Sequence, residues 1–150
     1  MDNGAVISTL NDLVETCKDG EFGFHACAEQ ADAIDLEALF ARRADQCREA
    51  ARELQDLVLR LGGKPDSRGT TAGALHRGWV ALRSKLARYD DLAVLKECER
   101  GEDVAIARYR DALASPLPES VRELVERQYQ GAQRNHDQIR DLRDSLQMST

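Results

Sequence analysis

Leu61-Gly62-Gly63-Lys64-Pro65-Asp66-Ser67-Arg68-Gly69 is the stretch on which the fold turns. Upstream, Leu36, Leu39/Phe40, Ala44, Cys47, Ala51, Leu54, Leu57/Val58 and Leu61 recur at three- and four-residue steps, the mark of a core-facing helix that Asp35 can cap. Gly62-Gly63 ends it, as glycine does at a helix C-terminus, and Lys64-Pro65 opens a loop. An earlier helix is predicted from about Ile7 to Asp32, with Leu10, Leu13/Val14, Cys17, Phe24, Ala28 and Ala31 on one stripe and Ser8 or Asn11 as cap. Downstream, a crossover helix is expected near Thr71 to Ala87, anchored by Leu75, Trp79, Leu82 and Leu86. A further helix runs from Asp90 or Asp91 to about Ala114. The last follows Ser115-Pro116-Leu117-Pro118 and runs to about Leu146, with Pro118 in its first turn. The expected order is hairpin, crossover, hairpin: an all-α, single-domain four-helix bundle over residues 1–150, two antiparallel hairpins with a long crossover carrying an extra helix.

Composition agrees. Hydrophobic residues are 42%, charged residues 32% and aromatics only 5%, so Leu, Val, Ile, Ala and Cys must build the core. The net charge of −6 argues against nucleic-acid binding, which needs a basic surface. Arg42, Arg43, Arg48 and Arg52 alternate with Asp45, Glu49 and Glu53, the pattern of a solvated, ion-paired helix face. No apolar run reaches the roughly 18 residues of a membrane span, and the N-terminus does not read as a secretory signal. The four cysteines, Cys17, Cys27, Cys47 and Cys98, lack CxxC spacing and sit in helical patterns. In the expected cytoplasmic setting they should be reduced, small core residues.

One internal repeat carries chemistry. Cys17-Lys18-Asp19-Gly20-Glu21 and Cys98-Glu99-Arg100-Gly101-Glu102 both read C-x-x-G-E, at the same place in the first helix of each hairpin. Both glutamates fall on the core stripe. A carboxylate facing a core needs a partner, a proton or a cation, and two such groups related by pseudo-twofold symmetry are expected to share the interior. The glycine before each is unusual, since glycine inside a helix costs roughly 1 kcal/mol relative to alanine. It allows close helix approach or leaves room beside the carboxylate. Gln133 and His136, three apart, share a face of the last helix, and His25 follows Glu21 by one turn.

This combination resembles the ferritin-like superfamily, and most of all a bacterial branch described as a ferritin-like four-helix-bundle domain of unknown function. The segments that carry the likeness are Leu10-Asn11-Asp12-Leu13, Asp19-Gly20, Leu61-Gly62-Gly63-Lys64-Pro65, His76-Arg77-Gly78-Trp79, Gly101-Glu102, Tyr109 and His136-Asp137-Gln138-Ile139-Arg140. Metal-binding members take one Glu from each first helix and a Glu-x-x-His from each second helix. The resemblance implies Glu21 and Glu102 as the single glutamates and Gln133-x-x-His136 as one pair, with Gln replacing Glu. The second pair is missing, because helix two has no histidine; Gln46-x-x-Glu49 and Glu53-x-x-Asp56 are its nearest candidates.

Two functions follow as expectations. The first is a bacterial, cytoplasmic, non-catalytic binding or assembly module in stress or storage physiology, working as a homodimer or higher homo-oligomer, with no nucleic-acid or membrane partner. The second is an iron- or manganese-binding protein with an incomplete di-metal site drawn from Glu21, Glu102, His136, Gln133, His25 and Glu49. No Gly-rich phosphate loop or nucleophile constellation marks the chain as an enzyme.

Overall fold

A computed structural model describes residues 1–66 and 90–149. The expected crossover helix, with Trp79 and His76, lies outside the described residues. Among the described residues there are four helices: α1 (Asn3–Gln30), α2 (Ile34–Arg60), α3 (Asp91–Leu113) and α4 (Glu119–Met148). They match the sequence expectation to within a few residues at each end.

The differences at the ends have local causes. Asp2, not Ser8 or Asn11, caps α1, its carboxylate accepting from the Ala5 amide at 2.7 Å. Asn11 instead ties down the loop after α2: its amide donates to the Lys64 carbonyl at 3.0 Å and its oxygen accepts from the Asp66 N–H at 2.8 Å. α2 has no side-chain cap from Asp35. The α1–α2 turn, which has no glycine or proline, is held from the other hairpin, where the Asp91 carboxylate accepts from the Asp32 and Ala33 amides at 2.8 and 3.1 Å. The neighbouring Asp90 caps α3 through Ala93 N–H at 2.7 Å.

The end of α2 follows from its glycines. Gly62 has φ +83°, the left-handed conformation that a side chain resists. Gly62 N–H reaches the Leu59 carbonyl at 3.0 Å and Gly63 N–H the Val58 carbonyl at 2.9 Å, the pair of bonds that closes a Schellman motif. Gly63 has a second reason: a Cβ there would lie 2.8 Å from the Ile7 side chain.

Helix directions come from the cross-bundle contacts. Cys17 of α1 meets Tyr109 of α3, while ten residues on Cys27 meets Cys98. α1 is therefore antiparallel to α3 as well as to α2, so α2 and α3 run parallel. A short turn cannot join parallel helices of this length, and the crossover supplies the missing span.

The core is in two parts. At one end Val6, Leu10, Leu13, Val14, Leu54, Val58, Val121 and Val125 pack together. At the other, Phe24, Phe40, Leu39, Val94, Leu95 and Ile139 do so, with the Phe24 and Phe40 rings stacked at 6.4 Å. Between the two lies the C-x-x-G-E level of α1 and α3.

The two glycines of the repeat have unlike surroundings. A Cβ on Gly20 would meet Cys47 Sγ at 2.9 Å, so this glycine lets α2 close against α1. A Cβ on Gly101 would meet nothing within 4 Å. Gly101→Ala is therefore expected to gain up to about 1 kcal/mol, and Gly20→Ala to lose about 1 kcal/mol despite the better helix former, both read by urea unfolding. Equal shifts of the same sign would show that Gly20 is not a close-approach site.

Candidate functional site

A cavity of about 670 Å³ occupies the middle of the bundle, walled by all four helices. Four glycines from helix interiors, Gly20, Gly23, Gly101 and Gly131, line it, and small side chains such as Ala105 and Ala132 add room. Long side chains would fill this level as they fill the two core halves; their absence keeps it open. All four cysteines of the chain also face this one space.

Its most unusual wall residue is Glu102, 9% exposed. Glu102 Oε1 is buried and has no hydrogen-bond partner among the described residues. Burial pushes its pKa up to about 8; Arg43 nearby opposes that shift, while Asp103 and Glu99 add to it. At neutral pH Glu102 is thus mainly a neutral acid, able to donate as well as accept. Arg43 is itself 7% exposed and donates to Gln46 Oε1 at 2.9 Å and to Gln138 on α4. Burial lowers its pKa from the ordinary guanidinium value.

Beside Glu102 a hydrogen-bonded chain crosses the bundle. Tyr109 O–H donates to Gln128 Oε1 at 2.7 Å, and Gln128 Nε2 donates to the Ala50 carbonyl at 3.2 Å and Glu53 Oε1 at 3.1 Å. Glu53 also pairs with Arg127 at 2.7 Å. Because the one Tyr109 proton is spent on Gln128, the 3.2 Å contact with Cys17 Sγ makes Cys17 the donor. Burial pushes the Cys17 thiol up to about 11, and burial also holds the Cys47 thiol and Tyr109 phenol protonated. Residues from all four helices thus take part in a single satisfied network.

The six residues expected to form the site are not brought together. Only Glu102 lines the cavity. Glu21 is partly exposed and pairs with Lys18 at 3.4 Å on its own helix. His25 is exposed. Glu49 lies on the solvated face of α2 and pairs with Arg52 at 3.3 Å. Gln133 and His136 face a separate recess of about 700 Å³ between α3 and α4, where Gln133 Nε2 donates to the Tyr129 hydroxyl at 3.0 Å and His136 Nε2 lies 2.7 Å from Asp103 Oδ1. Sequence reasoning placed Arg43 on a solvated face, whereas it is buried, and it missed Gly23, Gly131 and the linkage of Cys17, Tyr109 and Gln128 into one chain. A count of helix-interior glycines was the available signal, since each is unfavourable in a helix.

The cysteine expectation is corrected in part. Cys17 and Cys47 are free thiols, but Cys27 and Cys98 are linked as a disulfide between α1 and α3, with Cα atoms 7.1 Å apart. Facing positions on antiparallel helices bring them together, a proximity that their separation of 71 residues hides.

A di-iron centre of the carboxylate kind needs hard oxygen and imidazole donors from several helices. The cavity wall does not fit one. Its acids are Asp19, Glu97 and Glu102, with Glu97 held by Arg100; its wall includes no histidine among the described residues, and it is rich in sulfur. Among the described residues, no three His, Cys, Asp or Glu side chains gather as metal ligands do.

The chain is similar in fold to several solved structures. One is a two-domain protein of Anabaena variabilis that contains DJ-1/ThiJ/PfpI-like and ferritin-like domains, matched at 14% identity and a TM-score of 0.80 over 100% of this chain and 39% of that one. It is similar to the bacterioferritin-related protein of Bacteroides fragilis, a dodecameric thioferritin, at 18% identity and TM-score 0.78, covering 99% of this chain and 90% of that one. The DPS protein of Vibrio cholerae O1, a member of a broad superfamily of ferritin-like diiron-carboxylate proteins, aligns at 13% identity and TM-score 0.73, over 93% of this chain and 89% of that one. These likenesses establish the ferritin-like four-helix bundle. None of the curated proteins matches the chain. In sequence, the family described as domain of unknown function (DUF2383) matches residues 5–115.

Proposed function

We propose that this chain, which belongs to the DUF2383 family, is a ferritin-like binding module that holds a small ligand in its central cavity and performs no turnover of its own. One observation carries the reading: a buried, unpartnered carboxyl, Glu102 Oε1, on the wall of a cavity of about 670 Å³. A buried polar atom without a partner costs about 1–3 kcal/mol, and a bound polar group would recover it. The rest of the wall is mainly apolar, as ligand sites are.

The module works in the cytoplasm as a homo-oligomer, in stress or storage physiology. Ile34 and Leu59 support self-association, being large apolar side chains left 80% and 59% exposed. Among the described residues no helix is long and apolar enough to cross a membrane. The acidic net charge of −6 disfavours a nucleic-acid partner. Iron or manganese would find Glu102 as a buried ligand, with Asp19 and Glu97 on the same wall, but no imidazole among the described residues there.

The test uses N-phenyl-1-naphthylamine, an uncharged apolar dye. It should bind saturably with a fluorescence rise, about one dye per chain, while sedimentation gives a mass that is a multiple of 16.7 kDa. Gly101→Leu/Gly131→Leu places long side chains at two positions that line the cavity and have room for a Cβ. It should weaken dye binding at least about tenfold, or 1.4 kcal/mol. Unchanged binding by the plugged variant would remove the cavity as the site; a monomer mass would remove the oligomer.

A further inference from the structure

The centre of this bundle holds sulfur where a di-metal bundle holds oxygen and nitrogen. Cys27 and Cys98 come from opposite hairpins, face each other across the cavity wall, and are 1% and 5% exposed. We propose that the reduced Cys27–Cys98 pair is a two-coordinate site for a soft monovalent cation of the cuprous type. The assignment rests on the reading of the cavity as the binding site and names what binds there.

Soft thiolates select Cu(I), and a two-coordinate cuprous ion needs only two of them. Zinc needs four ligands, and the other two cysteines do not offer themselves. Cys17 is spent as a donor to Tyr109, and the Cys47 sulfur is packed against Gly20 of α1. The Cα separation of 7.1 Å lies beyond the usual range of about 4.4–6.8 Å for a direct sulfur–sulfur bridge, and an ion placed between two sulfurs requires more span than a bond does. Glu102 follows Cys98 by four residues, on the same face of α3 and lining the same cavity. Its unpartnered Oε1 is a second polar group at that level of the cavity. A neutral acid beside a bis-thiolate cuprous centre avoids adding a second negative charge.

Loading has two balanced steps. A dithiol reductant opens the bridge: its own thiols are oxidised to a disulfide, two electrons pass to the Cys27–Cys98 bond, and each freed sulfur takes a proton. Cu(I) then bonds to both sulfurs and releases those two protons to water, with copper remaining cuprous throughout. The oxidised bundle has no such pair to offer, so loading is gated by thiol redox state.

The probe is Cu(I) supplied anaerobically as its bicinchoninate complex to full-length protein, reduced with a phosphine that is then removed. Reduced protein should withdraw about one Cu(I) per chain, bleaching the chelate, and oxidised protein should withdraw essentially none. Glu49→Gln, on the solvated face of α2, should behave like the parent. Cys27→Ser/Cys98→Ser should lose at least about tenfold in affinity, and the single variant Cys98→Ser, its fold checked by circular dichroism, should lose as much. Copper K-edge absorption should show two sulfur neighbours. Copper uptake that survives loss of both cysteines, a shell of three or more ligands including nitrogen, or Fe(II) binding in preference to Cu(I) would each overturn the assignment. If copper is refused while the dye still binds and the plugged variant still refuses it, the cavity stands and only its cuprous ligand falls. If dye and copper both fail, the cavity reading falls with it.

Discussion

Glu102→Gln is expected to stabilise the protein at pH 9 by on the order of 3 kcal/mol, and to make almost no difference below about pH 4.5. The reason is the raised acidity constant of a buried carboxyl, pushed up to about 8 from 4.5 by burial. Below 4.5 the acid is protonated whether the chain is folded or not, so it exerts no pH dependence. Between 4.5 and 8 the unfolded chain has lost the proton and the folded chain has kept it. The unfolded state then binds fewer protons, and stability falls as pH rises. Above 8 the folded protein also ionises, and the loss levels off with a desolvated charge in the core that Arg43 only partly offsets. Glutamine has the same shape without the charge. Urea unfolding of parent and variant at steps from pH 4 to 9 reads the effect directly as a difference, in which the other titrating groups cancel. Parallel stability curves would mean that Glu102 is already ionised and partnered in solution, and the neutral acid at the cavity wall would be lost.

The second large effect is expected from Tyr109→Phe, at about 2–4 kcal/mol of lost stability. The hydroxyl accepts from Cys17 and donates to Gln128, and all three side chains are buried. Removing it leaves two buried polar groups unsatisfied, each at about 1–3 kcal/mol. The exposed end of the network is secured separately, since Glu53 keeps its ion pair with Arg127. Adding Gln128→Leu should therefore recover a substantial part of the loss, because an apolar pair needs no partners where a half-made network does. Thermal and urea unfolding of the single and double variants measure this coupling. A double variant that is worse by the sum of its parts would show that the two residues do not act through each other.

Both predictions concern the one level of the bundle where the hydrophobic repeat is interrupted. Elsewhere the chain behaves as its periodicity dictates. Leu10, Leu13, Leu54, Val58 and Val125 lie on their stripes and are buried to 1% or less. At the central level, Gly20 and Gly101 occupy matching places in a repeated pentapeptide and do opposite things, one receiving the Cys47 sulfur and the other facing open space. Glu21 and Glu102 diverge in the same way: a lysine on its own helix holds the first near solvent, while the second is enclosed.

Sequence alone determined the four helices, their ends to within a few residues, the two hairpins and the long crossover between them. Those follow from local forces: apolar spacing along one helix, and glycine and proline where the chain must turn. Only the tertiary structure decided that Asp91 secures the far hairpin's turn, that Cys27 meets Cys98, that Cys17, Tyr109 and Gln128 form one chain, and that His136 pairs with Asp103 beside a different recess from Glu102. A helical repeat gives each side chain an angle about its own axis. It does not give the rotation of that axis against its neighbours, and that rotation chooses which of two equivalent residues is enclosed.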